Sequence, residues 1–239
     1  MEDARAVGIE QINLDFMMGI PHQTVNSLTD TLEKAISLSP QHLSAYCLSL
    51  EEGTPFYRRG SERLGLPDDD VVAEMYLRSA EQIKAAGYEH YEISNFCRPG
   101  CASRHNLNTW LAGEYLGFGV AAHGHTGLTR YGNSRDIDAF LRGEDIEADR
   151  YDMTSAEAAA EAVMLGLRLS CGVSLAEIAG RFGLPVPVWA DDCLQSYVDR
   201  DLLRVEGHYL SLTESGWLVS NRILSDIWGS LEKIWEKSR

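Results

Sequence analysis

The chain has 239 residues and carries 21 Lys and Arg against 36 Asp and Glu, a formal charge of −15 at pH 7. A hydrophobic fraction of 44% with five Trp suffices for a packed core and excludes wholesale disorder, while the acidic balance repels phosphate backbones and argues against nonspecific nucleic-acid binding. No apolar run of about 18 residues marks a membrane span, and the opening MEDARAVGIEQ does not read as a signal peptide. Five irregularly spaced Cys make no disulfide framework, so the expected compartment is a reducing cytoplasm.

The first hundred residues alternate strand and helix signals. Ile12 to Met18 is a short apolar run, compatible with a buried strand, that Gly19-Ile20-Pro21 breaks. Leu28, Leu32, Ala35 and Ile36 recur at helical spacing, and Ser39-Pro40 ends that helix. His42 to Leu50 reads as a second buried strand. Asp68-Asp69-Asp70 offers acids to the start of a helix with Val72, Met75, Tyr76, Ala80 and Ile83 on one face; Gly87 suits its end. Tyr88 to Phe96 reads as a third strand. This order predicts parallel pairing through right-handed crossovers.

From Arg98 to about Arg150 the chain is rich in Gly, Asn and His and reads as loops with one short apolar strand, Tyr115 to Ala122. From Tyr151 three helices are predicted, over Met153 to Leu169, Ser174 to Phe182 (closed by Gly183) and Val188 to Leu203. A hairpin from Leu203 to Leu212 around Glu-Gly-His follows, and then a last helix from Glu214. Helices followed by a two-stranded wing are winged-helix-like, a shape often used on DNA. Here the segment holds 8 Lys and Arg against 13 Asp and Glu, or −5, which favours a packing or partner module.

Three groups of residues have chemical promise. Asp15 is a carboxylate in an apolar strand, costly to bury without a partner; it suits either hydrogen bonds from a ribose diol or ammonium, or capping of the Gly19-Ile20-Pro21 loop. Cys97, Cys101 and His105 form C-x3-C-x3-H, readable as free loop thiols or as three corners of a zinc site. The C-x3-C-x2-C pattern of an iron–sulfur cluster would need its third Cys at 104, which is Arg104. His105-Asn106-Leu107-Asn108-Thr109-Trp110 puts an imidazole, an amide and a large aromatic together: either an axial heme ligand with a flat face beside it, or a loop His with Trp110 in the core. His123 and His125 have no spacing signature and read as structural. Glu51 to Pro55 looks like a βα turn open to a ligand.

Five segments in register resemble one family, the coproporphyrinogen-dehydrogenase-like radical S-adenosylmethionine (radical SAM) proteins. Asn13 to Thr24 is similar to NxDLIxGLPxQT, and His42 to Tyr46 with Glu51 to Thr54 to HxSxY…ExGT. Tyr91 to Phe96 with Pro99-Gly100 resembles YEISNFAxPG, His105 to Trp110 resembles HNxxYW, and Tyr115 to His123 resembles YLGxGxGAH. Leu212 to Gly216 is similar to the LTxxG turn of the carboxyl-terminal part. YEISNF and HNxxYW point to the HemW-type heme chaperones within this superfamily; the IGxDHFA-like and NFQGY segments of true coproporphyrinogen dehydrogenases are not present. Coproporphyrinogen III oxidase activity is the alternative reading.

The resemblance implies a partial radical SAM (TIM-like) α/β barrel with about three parallel strands over residues 1–100, a loop-rich connection over 101–150, and an α+β winged-helix-like domain over 151–239. It implies SAM contacted by Asp15 and lined by Met17, a 4Fe-4S cluster in full-length members, and heme held by His105 and Asn106 beside Trp110. The implied partners are heme and acceptor hemoproteins, with membrane contact only through those acceptors. Thr109 stands where the family usually has Tyr. The family's cluster cysteines and GGT segment have no counterpart, so the sequence is expected to be a carboxyl-terminal portion, inactive alone in radical chemistry, whose unpaired first strand favours self-association.

Overall fold

The computed structural model describes residues 1–188 and 193–236, and the chain divides into two units, Met1–Ala102 and Ser103–Arg239. The first contains α1 (Glu2–Ala6), β1 (Asn13–Met18), α2 (Val25–Ser37), β2 (His42–Cys47), α3 (Pro55–Arg59), α4 (Ser61–Leu64), α5 (Asp69–Ala85), β3 (Glu89–Glu92) and β4 (Asn95–Cys97). Local chemistry starts its helices. Thr24 and Ser27 form a reciprocal capping box at α2, and Asp68 caps α5 by accepting from the Val71 amide at 2.9 Å. Buried Leu28, Leu32 and Ala35 of α2 belong to the same core as Met75, Ala80 and Ile83 of α5, and these two helices pack together.

The sheet of this unit runs β1-β2-β4-β3. β1 and β2 are parallel, with Asn13 opposite His42, Asp15 opposite Ser44 and Met17 opposite Tyr46. The expected third parallel strand is corrected by the structure: Tyr88 to Phe96 folds as a hairpin, and β4 runs antiparallel to both β2 and β3. The cause is turn chemistry at Ile93-Ser94. The fully buried Glu92 carboxylate accepts from the Ser94 amide at 3.2 Å and from the Asn95 side chain, folding the chain back after four residues.

The second unit holds α6 (Arg104–Trp110), β5 (His123–Thr126), β6 (Thr129–Asn133), α7 (Ile137–Leu141), β7 (Glu147–Asp152), α8 (Ser155–Gly166), β8 (Val173–Ser174), α9 (Leu175–Phe182), α10 (Cys193–Val198), β9 (Leu203–Glu206), β10 (Tyr209–Leu212), α11 (Glu214–Leu218) and α12 (Ser220–Glu236). The segment expected to be loops instead carries α6, α7 and a three-stranded antiparallel sheet, β5-β6-β7. The expected strand over Tyr115 to Ala122 reduces to a single bridge, Tyr115 to His125. Gly124 and Gly132 disguise the sheet in the sequence. Each lies opposite a ring in the paired strand, Tyr131 and His123 respectively, whose ring fills the place of a side chain.

A second sheet, β8-β10-β9, contains the expected hairpin. Ser174 caps α9 and Gly183 closes it in the left-handed conformation, as the sequence predicts. The helix predicted from Val188 falls partly outside the described residues, and α10 starts at Cys193. The last helix breaks at Val219 into α11 and α12.

The LTxxG turn has a physical basis. Thr213 Oγ1 caps α11 by accepting from the Gly216 amide at 3.0 Å, and it donates to the Asp201 carbonyl at 2.7 Å. A β-carbon at 216 would collide with the Leu202 carbonyl, so only glycine fits. Along α12 the buried residues Ile223, Ile227, Leu231 and Trp235 recur every fourth position, on the helix that packs against the Ala-rich α8.

Candidate functional site

Period-two alternation puts Asn13, Asp15 and Met17 on one face of β1, beside His42, Ser44 and Tyr46 of β2. Asp15 is exposed, and the loop-capping role fails: the Gly19 amide donates to Gln23 Oε1 at 2.8 Å instead. Asp15 Oδ1 accepts from Asn13 Nδ2 at 2.6 Å, and that amide also donates to Ser44 Oγ at 3.0 Å. Asn13 Oδ1 lies 2.7 Å from His42 Nδ1, and His42 Nε2 lies 2.8 Å from the Tyr91 hydroxyl.

Burial lowers the His42 pKa below its ordinary 6.5, with the Asp15 charge acting in the opposite direction. The ring is therefore neutral at pH 7. The four residues then form a donor chain of one polarity: the Tyr91 hydroxyl donates to His42 Nε2, His42 Nδ1–H donates to the Asn13 carbonyl oxygen, and the Asn13 amide donates to Asp15. Asp15 Oδ2 is left open to solvent. Met17 is 47% exposed opposite Tyr46, 40% exposed, an apolar platform next to the carboxylate. Sequence reasoning named Asp15 and Met17 but missed Asn13, His42, Tyr46 and Tyr91. The alternation of polar residues on paired strands was the available signal.

The second candidate set lies in the other unit, on α6. The sequence predicts a loop here, and the segment is a helix, started by Ser103 Oγ accepting from the Asn106 amide at 3.3 Å. A helix divides the motif. His105 and Thr109 share one side at i, i+4, and Thr109 Oγ1 donates to the His105 carbonyl at 3.3 Å; Asn106 and Trp110 share another. His105 is exposed, and Asn106 and Trp110 are half-buried. The Arg168 guanidinium stands 5.4 Å from the Trp110 ring centroid, and the indole N–H is buried with no acceptor among the described residues.

Cys97 is fully buried in β4, and burial first, then the charges of Glu89 and Cys101, raise its thiol to about 11. It is held as a thiol. Among the described residues no three His, Cys, Asp or Glu side chains gather to hold a metal ion, and these residues do not fit an iron–sulfur cluster. No helix among them is long and apolar enough to cross a membrane.

Residues 153–219 match the family profile of the HemN C-terminal domain. Heme chaperone HemW of Bacillus subtilis is 34% identical over 96% of this chain, which spans 62% of that protein; Heme chaperone HemW of Escherichia coli is 32% identical over 92%, spanning 58%. A mouse protein, Radical S-adenosyl methionine domain-containing protein 1, mitochondrial, is 38% identical over 52% of the chain and 28% of its own length. In fold, the chain superimposes on the radical SAM enzyme coproporphyrinogen III oxidase (HemN) of Escherichia coli with a TM-score of 0.72, over 96% of this chain and 56% of that one. At 17% identity that likeness is one of fold alone. The similarity in sequence runs through both units, and the chain spans about three fifths of the length of the proteins named Heme chaperone HemW that it resembles.

Proposed function

We propose that this chain is the heme-handling portion of a HemW-like heme-trafficking protein, taking heme at α6 for transfer to acceptor hemoproteins. The observation that carries the reading is His105: an exposed imidazole on a capped helix, in a family-matching HN-x3-W context. A neutral imidazole nitrogen is a ready axial ligand for heme iron, and exposure allows the iron to reach it without unfolding the helix. Asn106 and Trp110, on the neighbouring side, flank the macrocycle. Titration of hemin into the chain is expected to give a shifted Soret band that His105→Ala abolishes or strongly weakens. Identical titrations of the two proteins would end the claim.

In the first unit, Asp15 and Met17 form one side of a SAM site. The free carboxylate oxygen accepts from a ribose hydroxyl or the ammonium, and the Met17–Tyr46 platform covers an apolar face. SAM, when bound, supplies a sulfonium group. The residues here bind and orient it.

The sheet edge bears on association. β1 is the outer strand of its sheet, no strand among the described residues pairs with its far edge, where Gln23 Nε2 donates to the Met17 carbonyl at 3.3 Å, and Met17 and Ile20 are exposed beside it. Light scattering of the purified chain is expected to show species larger than a monomer. A sharp monomer peak with cooperative melting would count against this.

A further inference from the structure

The second unit holds a cleft that the motif-based reading does not use. It measures about 640 Å³, within the span of small-molecule sites, and its walls come from β5–β7, α6 and α8. Thr109, Tyr115, His123, Arg130, Tyr151 and Leu165 are among them. Arg130 is not available to a ligand. Its Nε and Nη2 bind the Glu161 carboxylate at 2.8–3.0 Å, and Nη1 donates to the Tyr115 hydroxyl at 3.0 Å. That pair braces the wall and cancels its charge.

His123 is different. Its ring is exposed and makes no hydrogen bond among the described residues. It is positioned by the sheet: a β-carbon at Gly132, directly across in β6, would stand 2.9 Å from two of its ring atoms. Glycine at 132 thus leaves space for an imidazole held against the strand, beside the aromatic Tyr115 and Tyr151. The cleft also connects to α6. Thr109 lines it, and His105 lies one turn earlier on the same side of that helix.

We propose that this cleft seats the plane of an iron tetrapyrrole, with His123 as an iron ligand in addition to His105. Tyr115, Tyr131, Tyr151 and Leu165 suit the flat, apolar part of a macrocycle, while Asp149 and Arg150 add charge to the same lining, and an unpartnered imidazole supplies the lone pair that the metal takes. The inference rests on the heme reading above and assigns it a second residue and a place.

The test is hemin titration of the 239-residue chain, read by the Soret band, the ferric spin state and circular dichroism. Wild type is expected to give a six-coordinate low-spin spectrum. His123→Ala should turn it high-spin and weaken binding by at least the roughly tenfold that loss of even an outer-shell metal partner costs. Added imidazole should restore the low-spin form, which no purely structural role of His123 explains. Leu165→Trp, filling the cleft from α8 and away from the helix that carries His105, should also block binding. If His123→Ala and Leu165→Trp titrate like wild type while His105→Ala does not, the cleft is wrong and the heme reading stands. If hemin fails to bind, or no variant differs, both are overturned.

Discussion

Trp235→Ala is expected to destabilise the second unit by about 3–5 kcal/mol, the usual cost of deleting a buried indole. Trp235 is 1% exposed, closes the every-fourth-residue stripe of α12, and donates its N–H to the Pro185 carbonyl at 3.0 Å. Truncation leaves a cavity and strips that carbonyl of its donor, two losses that add in the same direction. Thermal melting should fall by roughly 10–15 °C for a unit of this size. Trp228, on the same helix but half-exposed along a groove with Arg168 and Leu224, is the matched control. Trp228→Ala changes helix propensity identically and is expected to cost less than half as much. Equal losses would show that the effect lies in the helix itself and not in the buried stripe.

The stripe explains why the carboxyl-terminal elements were legible in the sequence. Ser174 with Gly183 and the Glu-Gly-His turn are local devices, and each is found where the sequence predicts it. What was illegible depends on partners distant in sequence. Gly124 and Gly132 look like strand breakers until the rings opposite them are known, so the sheet that builds the cleft could not be read from residues 98–150. The Tyr88 to Phe96 run has strand composition throughout, and its reversal hangs on the buried carboxylate of Glu92. Similarly, Asp15 stood out as a charge in an apolar strand, but its partner His42 is 27 residues away and meets it through Asn13 only because β1 and β2 pair in register. The HN-x3-W motif was recognised as a string, yet the helix assigns its residues to two sides and gives the exposed one to His105.

His42→Leu is the variant that tests the donor chain behind Asp15. It leaves the Asn13 carbonyl oxygen with only the Ser44 hydroxyl, at 3.2 Å, and removes the acceptor of the Tyr91 hydroxyl. Asn13 is exposed and Tyr91 half-buried, so water takes up part of what is lost, and each lost hydrogen bond should cost about 0.5–1.5 kcal/mol, in His42→Leu as in Tyr91→Phe. The functional consequence follows from polarity. Without Nδ1–H to fix its oxygen, the Asn13 amide can turn and present oxygen to Asp15, repelling the carboxylate from the position that the SAM reading requires. Equilibrium dialysis should therefore show weaker SAM binding for His42→Leu, and weaker still for Asp15→Ala. Proton linkage supplies an independent readout. Because burial depresses the folded pKa of His42, the unfolded chain binds the extra proton as pH falls through about 6.5, and the stabilisation present above that value is lost on acidification through the lower folded pKa. Denaturant unfolding of the wild-type chain should weaken over that window, and His42→Leu should lack that part of the slope. A variant with an unchanged acid slope and unchanged SAM affinity would mean that the chain from Tyr91 to Asp15 is packing, with no hold on the carboxylate.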